Sequence, residues 1–267
     1  MSLNFIIKIL ANTLKPFTSF LNIFKKLNKF QKRYKNKSKE YLDKKESVVE
    51  NVTSFYTTNN LLSRLCENKG TDKGFIDLKK KKPYNWEPHP YSVFYHSLFA
   101  HCRKNITLVF ECGIGTRNIS IESSMGSRGI PGASLRMWKD YFINAEIFGA
   151  DIDTNVLFQE DRIKTFEVDQ LNADSIKKMW KNINKTNFDL IIDDGLHSYN
   201  SSLNFFLHSF ERLKKDGLYI VEDVDYKYID KLRNSLKKFN PEVSMFKNNL
   251  SKKNNSTNNN LIVIRKE

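Results

Sequence analysis

The sequence predicts an α/β protein with a mostly parallel sheet covered by helices on both faces. Three observations predict it. From residue 107 onward, apolar runs of strand length alternate with segments of helical length, the order that builds parallel sheets through crossover helices. Several of these runs end on acids or glycines, as in Glu111-Cys112-Gly113 and Asp193-Asp194-Gly195, and ligands of open α/β sheets bind beyond the carboxyl ends of the strands. The length of 267 residues, with 40% hydrophobic and 13% aromatic content, suffices for one such core plus an appendage.

The appendage comes first. Residues 1–45 hold 12 basic against 2 acidic residues, +10 of the chain's +14. Leu3, Ile7, Leu10, Leu14, Phe17, Leu21 and Phe24 recur at intervals of three and four and share one helical face; Pro16 kinks or divides that helix. Residues 1–45 are therefore expected to be a basic amphipathic helical arm. Such an arm can lie on an anionic membrane surface, pack on its own domain or join a second subunit, so peripheral membrane contact and a homo-oligomer both stay open. Lys8, Lys15 and Pro16 interrupt Leu3 to Phe24 and no small-residue cleavage site follows, so neither a signal peptide nor a membrane span is expected. Cys66, Cys102 and Cys112 have no paired spacing, which argues against a disulfide framework or a zinc knuckle and for the cytoplasm, with the inner membrane face as a variant.

Residues 46–104 read as a helical lead-in region carrying a substrate or cofactor loop, with an irregular piece from Lys79 to Pro90. The sheet domain occupies 105–267. Its strands are Thr107 to Cys112, Glu146 to Ala150, Ile163 to Val168, the Phe188 run, the Gly217 run, and two near Val243 and Leu261. Helices are expected over Ser134 to Tyr141, Ala173 to Trp180, Ser201 to Lys214 and Tyr228 to Lys238. The Asn/Ser/Lys-rich stretch from Lys247 to Asn260 is expected to be a flexible loop.

The chemistry gathers at the strand ends. Phe188-Asp189-Leu190-Ile191-Ile192-Asp193-Asp194-Gly195-Leu196-His197 runs an apolar strand into two carboxylates, a glycine and a histidine, and Gly217 to Asp223 repeats the design with Glu222-Asp223. Packing alone asks for neither ending. Gly113 and Gly115 let backbone approach a ligand, but a dinucleotide fingerprint needs a third glycine where this chain has Asn118, which weakens an NAD reading. Asp151 and Asp153 follow the second strand, where an acid can bond ribose hydroxyls; Asp169-Gln170 follow the third and can face an adenine.

These residues resemble the class I S-adenosylmethionine-dependent methyltransferases. More narrowly, Lys69-Gly70-Thr71-Asp72-Lys73, His89-Pro90-Tyr91, the run from Pro131 to Trp138, Asp193 to His197 and Glu222-Asp223 resemble the metal-dependent sugar O-methyltransferases that modify macrolide deoxysugars and bacterial surface polysaccharides. The resemblance covers about residues 60–267 and includes the insert Thr116 to Gly132; serine is commoner where this chain has Leu196. It implies a Rossmann-like seven-stranded sheet in the order 3-2-1-4-5-7-6, the last strand antiparallel. It also implies Asp194, Glu222 and Asp223 as Mg²⁺ ligands and His197 as the base. Glu111, Gly113, Gly115, Asp151, Asp153, Asp169, Gln170 and Asp193 would surround S-adenosylmethionine, with Thr71 and Asp72 at the donor or substrate pocket. Asp193 keeps two alternatives, a metal ligand in place of Asp194 or a cap.

The expected function is Mg²⁺-dependent O-methylation of a sugar hydroxyl, on a nucleotide-linked sugar or a surface (capsular) polysaccharide precursor. A small phosphorylated or antibiotic-type acceptor is the alternative within that class. A nucleic-acid-binding protein or a membrane-associated scaffold using the arm would belong to other classes. Nucleic acid is not expected as a partner, because the excess charge sits in the arm and not among aromatics beside the active edge.

Overall fold

Five apolar runs form the parallel middle of one sheet: β1 (Leu108–Cys112), β2 (Glu146–Asp151), β4 (Ile163–Glu167), β5 (Phe188–Asp193) and β6 (Leu213–Val221). The computed structural model describes residues 59–74, 77, 81–89, 91–239, 243–246 and 259–267. The expected arm, residues 46–58 and most of the polar stretch after Lys247 lie outside the described residues. Strand β8 (Leu261–Arg265) runs antiparallel between β6 and β7 (Val243–Phe246). With the two-residue strand β3 (Gln159–Glu160) at one edge, the order β3-β4-β2-β1-β5-β6-β8-β7 contains the seven-stranded order 3-2-1-4-5-7-6 of the class I methyltransferase fold.

Two details differ from the sequence reading. The eighth strand, β3 (Gln159–Glu160), forms where Arg162 turns the chain back at φ 57° and lays these two residues antiparallel on β4. It seats Glu160 under the Arg136 guanidinium, 2.6 Å away. The helix expected to reach Lys214 is α5 (Tyr199–Ser209); a 3-10 turn over Phe210–Arg212 ends it, and β6 starts at Leu213. The irregular pairing of β5 with β6 between Phe188 and Leu190 absorbs the extra residues.

Side chains of a strand alternate between faces, and this sorts the core. Phe110, Phe148, Ile191, Tyr219 and Ile262 face α4 (Ala173–Ile183), α5 and α6 (Ile229–Leu236), whose Trp180, Phe205 and Leu232 are fully buried. The opposite face takes α3 (Ala133–Tyr141) and the lead-in helices α1 (Leu61–Lys69) and α2 (Tyr91–Phe99). Trp138 of α3 stacks edge-on against Tyr95 of α2, and Ser63 of α1 hydrogen-bonds Ser92 of α2 at 2.8 Å. Residues 57–267 form one compact unit, so the lead-in helices bring their polar side chains to the carboxyl ends of the strands. Among the described residues no helix is long and apolar enough to cross a membrane.

Candidate functional site

Strand alternation decides which acid goes where. Register pairs Glu111 with Ile192 and Ile192 with Ile220, so Glu111, Asp194 and Glu222 fall on the α1–α3 face while Asp193 falls on the other. The three carboxylates converge on Lys73, whose Nζ lies 2.5 Å from Glu222 Oε2, 2.6 Å from Asp194 Oδ2 and 3.3 Å from Glu111 Oε1. Lys73 is 2% exposed. Burial pulls its ammonium down, but the charges of Asp194, Glu111 and Glu222 outweigh it and hold the group well above its ordinary value. Burial pushes the Glu222 carboxyl up to about 8 against the pull of Lys73, and raises Glu111 in the same way.

Beside this cluster, Asp194, His197 and Asp223 each present a ligand atom within 4.8 Å of the others. His197 Nε2 is 3.2 Å from Asp194 Oδ1. Burial lowers the imidazole, but its bond to Asp194 and the charge of Asp223 prevail and hold it at about 9. Asp194 is pushed up by burial and drawn down further by Lys73 and His197, for a net lowering. Asp223 Oδ1 accepts from Tyr91 Oη–H at 2.6 Å, and its Oδ2 lies 3.7 Å from His89 Nε2. His89 stacks on Tyr91 and reaches Asp72 Oδ2 at 3.4 Å, which also accepts from Trp86 Nε1–H at 2.6 Å. His197 (φ 54°) and Asp223 (φ 51°) are both left-handed. Strain of this kind at non-glycine residues costs about 1–3 kcal/mol each and collects at functional sites.

Glu222, the third expected ligand, is otherwise engaged in the cation-free chain. That carboxylate is outside the three-residue group, with Oε2 on Lys73 and Oε1 accepting from Tyr95 Oη–H at 2.5 Å. Glu222 continues the β6 alternation toward α2, whereas Asp223, in the left-handed turn beyond the strand, meets Asp194 and His197. Gln170 and Asp193 are likewise engaged within the chain. Gln170 Nε2 donates to Asp193 Oδ1 at 2.5 Å and Gln170 Oε1 accepts from the Leu196 amide at 2.7 Å.

Of the residues expected around the donor, Gly113 (φ 86°) and Gly115 (φ 87°) line the end of β1, and a Cβ on Gly113 would collide with the Asp194 carbonyl. Asp151 accepts from the amides of Ile114, Gly115 and Asp153 at 3.0, 3.2 and 3.0 Å, so it shapes the glycine loop. Asp153 accepts from Thr116 and from the Asn155 amide. Asp169 Oδ1 accepts from the Leu171 amide at 2.9 Å, and Glu111 Oε2 accepts from Trp138 Nε1–H at 2.5 Å. Thr71 is buried just past α1, its amide bonded to Cys66. Lys73 and His89 received no individual role from the sequence. No local pattern marks one lysine among many as buried, although Lys73 and His89 stand inside the motifs quoted above.

No family model matches the chain. Curated relatives do. It is 34% identical over 143 residues to the 8-demethyl-8-alpha-L-rhamnosyl tetracenomycin-C 2'-O-methyltransferase of Streptomyces olivaceus, covering 54% of this chain and 35% of that one. The chain is related to sugar O-methyltransferases. Identity to the mycinamicin VI 2''-O-methyltransferase of Micromonospora griseorubida is 28% over 189 residues, covering 69% of this chain and 45% of the Micromonospora protein. The chain thus spans about a third to just under half the length of the curated relatives it matches. Among solved structures, it is similar to a mycinamycin-pathway methyltransferase in complex with Mg and SAH, with a TM-score of 0.49, 28% identity, and coverage of 66% of this chain and 40% of the other.

Proposed function

We infer that this chain is an S-adenosylmethionine-dependent O-methyltransferase of a sugar hydroxyl that works with a divalent cation, Mg²⁺. The observation that carries the reading is the convergence of Asp194, Asp223 and His197 within 4.8 Å, against the glycine-rich end of β1, in a relative of sugar O-methyltransferases. Two carboxylates beside strained turns suit a hard cation with oxygen ligands. Asp194 and Asp223 would hold it; Glu222 joins only if Lys73 releases it. When bound, the cation acidifies a coordinated hydroxyl and fixes its direction.

The chain's own residues do the rest. His197 takes the hydroxyl proton at Nε2. Asp194 and Asp223 keep this imidazole charged in the cation-free chain, and neutralising the two carboxylates weakens that pull, freeing it to act as a base. Glu111, Gly113, Gly115, Asp151, Asp153 and Asp169 form the donor side, where Asp151 sets the loop that approaches the donor. Thr71 and Asp72 border the acceptor side, with Asp72 held by Trp86 and His89. Holding the acceptor oxygen, the methyl and the sulfur in line removes a large part of the entropic barrier to such a transfer. The acceptor is proposed to be a sugar on a small-molecule scaffold, in keeping with the printed names of the relatives. Those names give no support to a polysaccharide precursor.

The test is incubation with donor, Mg²⁺ and a panel of glycosylated small molecules and nucleotide sugars, read by mass spectrometry for the gain of one methylene. Transfer is expected with Mg²⁺ and not with excess chelator, and His197→Ala should slow it by about 10²- to 10⁴-fold. Turnover in chelator removes the cation from the reaction, and a near-normal rate for His197→Ala removes the base.

A further inference from the structure

Between β5 and α5, the loop Asp194 to Ser198 carries both Asp194 and His197, and a side chain from another strand end spans it. Gln170, three residues past β4, is 6% exposed. Its Nε2 donates to Asp193 Oδ1 at 2.5 Å and its Oε1 accepts from the Leu196 amide at 2.7 Å. Only this orientation of the amide satisfies both partners, since a carboxylate accepts and an N–H donates. The two bonds bracket Asp194 and stop one residue short of His197. Between them, Gly195 leaves no room for a side chain, because a Cβ there would collide with Gln170 Oε1. Gln170 is itself pinned: its carbonyl accepts from Asn204 Nδ2 of α5 at 2.7 Å.

We propose that Gln170 is a positioning residue that clamps the Asp194–His197 loop in the geometry the reaction needs, and is not part of the donor pocket. The inference rests on the reading of Asp194, Asp223 and His197 as the cation and proton site. Gln170 hydrogen-bonds none of those three side chains. It sets the path of the backbone between Asp193 and Leu196, and so the 3.2 Å approach of His197 Nε2 to Asp194 Oδ1. The left-handed backbone at His197 needs such outside support to persist. Tyr228 supplies more from α6, donating its Oη–H to the His197 carbonyl at 2.6 Å.

The clamp has a reversible polarity, which makes it testable. Gln170→Glu sets two carboxylates against each other while keeping an acceptor for Leu196. The double variant Gln170→Glu/Asp193→Asn restores one donor and one acceptor in reversed order at unchanged charge relative to wild type. In the full chain, Gln170→Glu and Gln170→Ala should weaken Mg²⁺ binding by calorimetry and lower kcat, each by about 10- to 100-fold, the usual effect of losing a group that orients a ligand. S-adenosylmethionine affinity should stay near wild type, and the double variant should recover both losses. Hydrogen exchange at the Leu196 amide, followed without cation or donor, should speed up in Gln170→Ala and return to normal in the double variant. Unchanged exchange at Leu196, a donor-affinity loss with Mg²⁺ binding intact, or a double variant no better than Gln170→Glu would each overturn the clamp. A wild-type chain that binds no Mg²⁺ would instead sink the reading of the cation site, and the Leu196 exchange would still decide the clamp.

Discussion

Lys73 sets the electrostatics of the strand ends. One buried ammonium among Glu111, Asp194 and Glu222 offsets repulsion between carboxylates that the strand register forces together. Removing one partner of a buried ion cluster leaves the others uncompensated. Lys73→Met is therefore expected to destabilise the cation-free protein by about 3–5 kcal/mol in urea unfolding, and Mg²⁺ should recover part of that loss. The neighbouring acids differ in the same terms. Asp223 shares the three-residue group with Asp194 and His197, whereas Glu222 stands outside it, paired with Lys73 and Tyr95. Calorimetric titration should show a larger loss of Mg²⁺ affinity for Asp223→Asn than for Glu222→Gln; the reverse order would place Glu222 in the first rank of ligands and Lys73 as its displaced partner.

At the level of elements, the parallel pairing of β1 with β5 joins the donor side to the cation side. Gly113 leaves β1 at φ 86° with its Cα against the Asp194 carbonyl, and the amide of Asp194 bonds Cys112 at 2.9 Å. A methyl group at 113 has no soft neighbour to displace, only backbone. Gly113→Ala should therefore lower donor and Mg²⁺ affinity together. Gly126→Ala is the control: that glycine also has positive φ, but its Cβ would meet nothing within 4 Å, so the change should carry only the backbone penalty of about 1 kcal/mol. Equal effects of the two on ligand binding would refute the coupling through the paired ends of β1 and β5.

Across the whole molecule, the excess protons held by the site give stability a direction with pH. His197 is held at about 9 and His89 at about 10, both above their ordinary 6.5. Burial lowers His89, but the charge of Asp223 and the bond to Asp72 prevail. Both groups bind protons more tightly folded than unfolded. Their contribution is whole below about pH 6.5 and is lost as pH rises through 9 and 10. Glu222, raised to about 8 by burial, has the same sign at lower pH. The urea midpoint of the cation-free protein should fall between pH 6.5 and pH 9.5. Mg²⁺ affinity should rise over the same range, because ligands must shed protons to bind. A midpoint that climbs with pH would mean that these histidines are neutral in the folded chain.

The sheet was legible because its signal is local. Apolar runs of strand length, spaced by helical segments, and acids at their ends placed β1, β2, β4, β5 and β6 to within a few residues, apart from the early start of β6. The same runs put Asp194, His197 and Asp223 on one sheet edge, and resemblance supplied the strand order that makes β5 and β6 neighbours. Three things lay beyond local pattern. Strand β3 exists because a single left-handed residue, Arg162, reverses the chain. Gln170 and Asp193 hold each other because the turn beyond β4 brings Gln170 to the end of β5, across the two strands that lie between them in the sheet, so residues the sequence assigned to a cofactor found partners within the chain. Lys73 is the plainest case. Among 44 basic residues nothing in its neighbourhood marks it for burial, since burial of a long cationic side chain depends on carboxylates delivered from three strands far away in sequence. The sequence by itself determined the layers, the strand ends and the acids they carry. Only the tertiary structure decided which acid faces which partner, because that choice depends on register and on side chains arriving from distant elements.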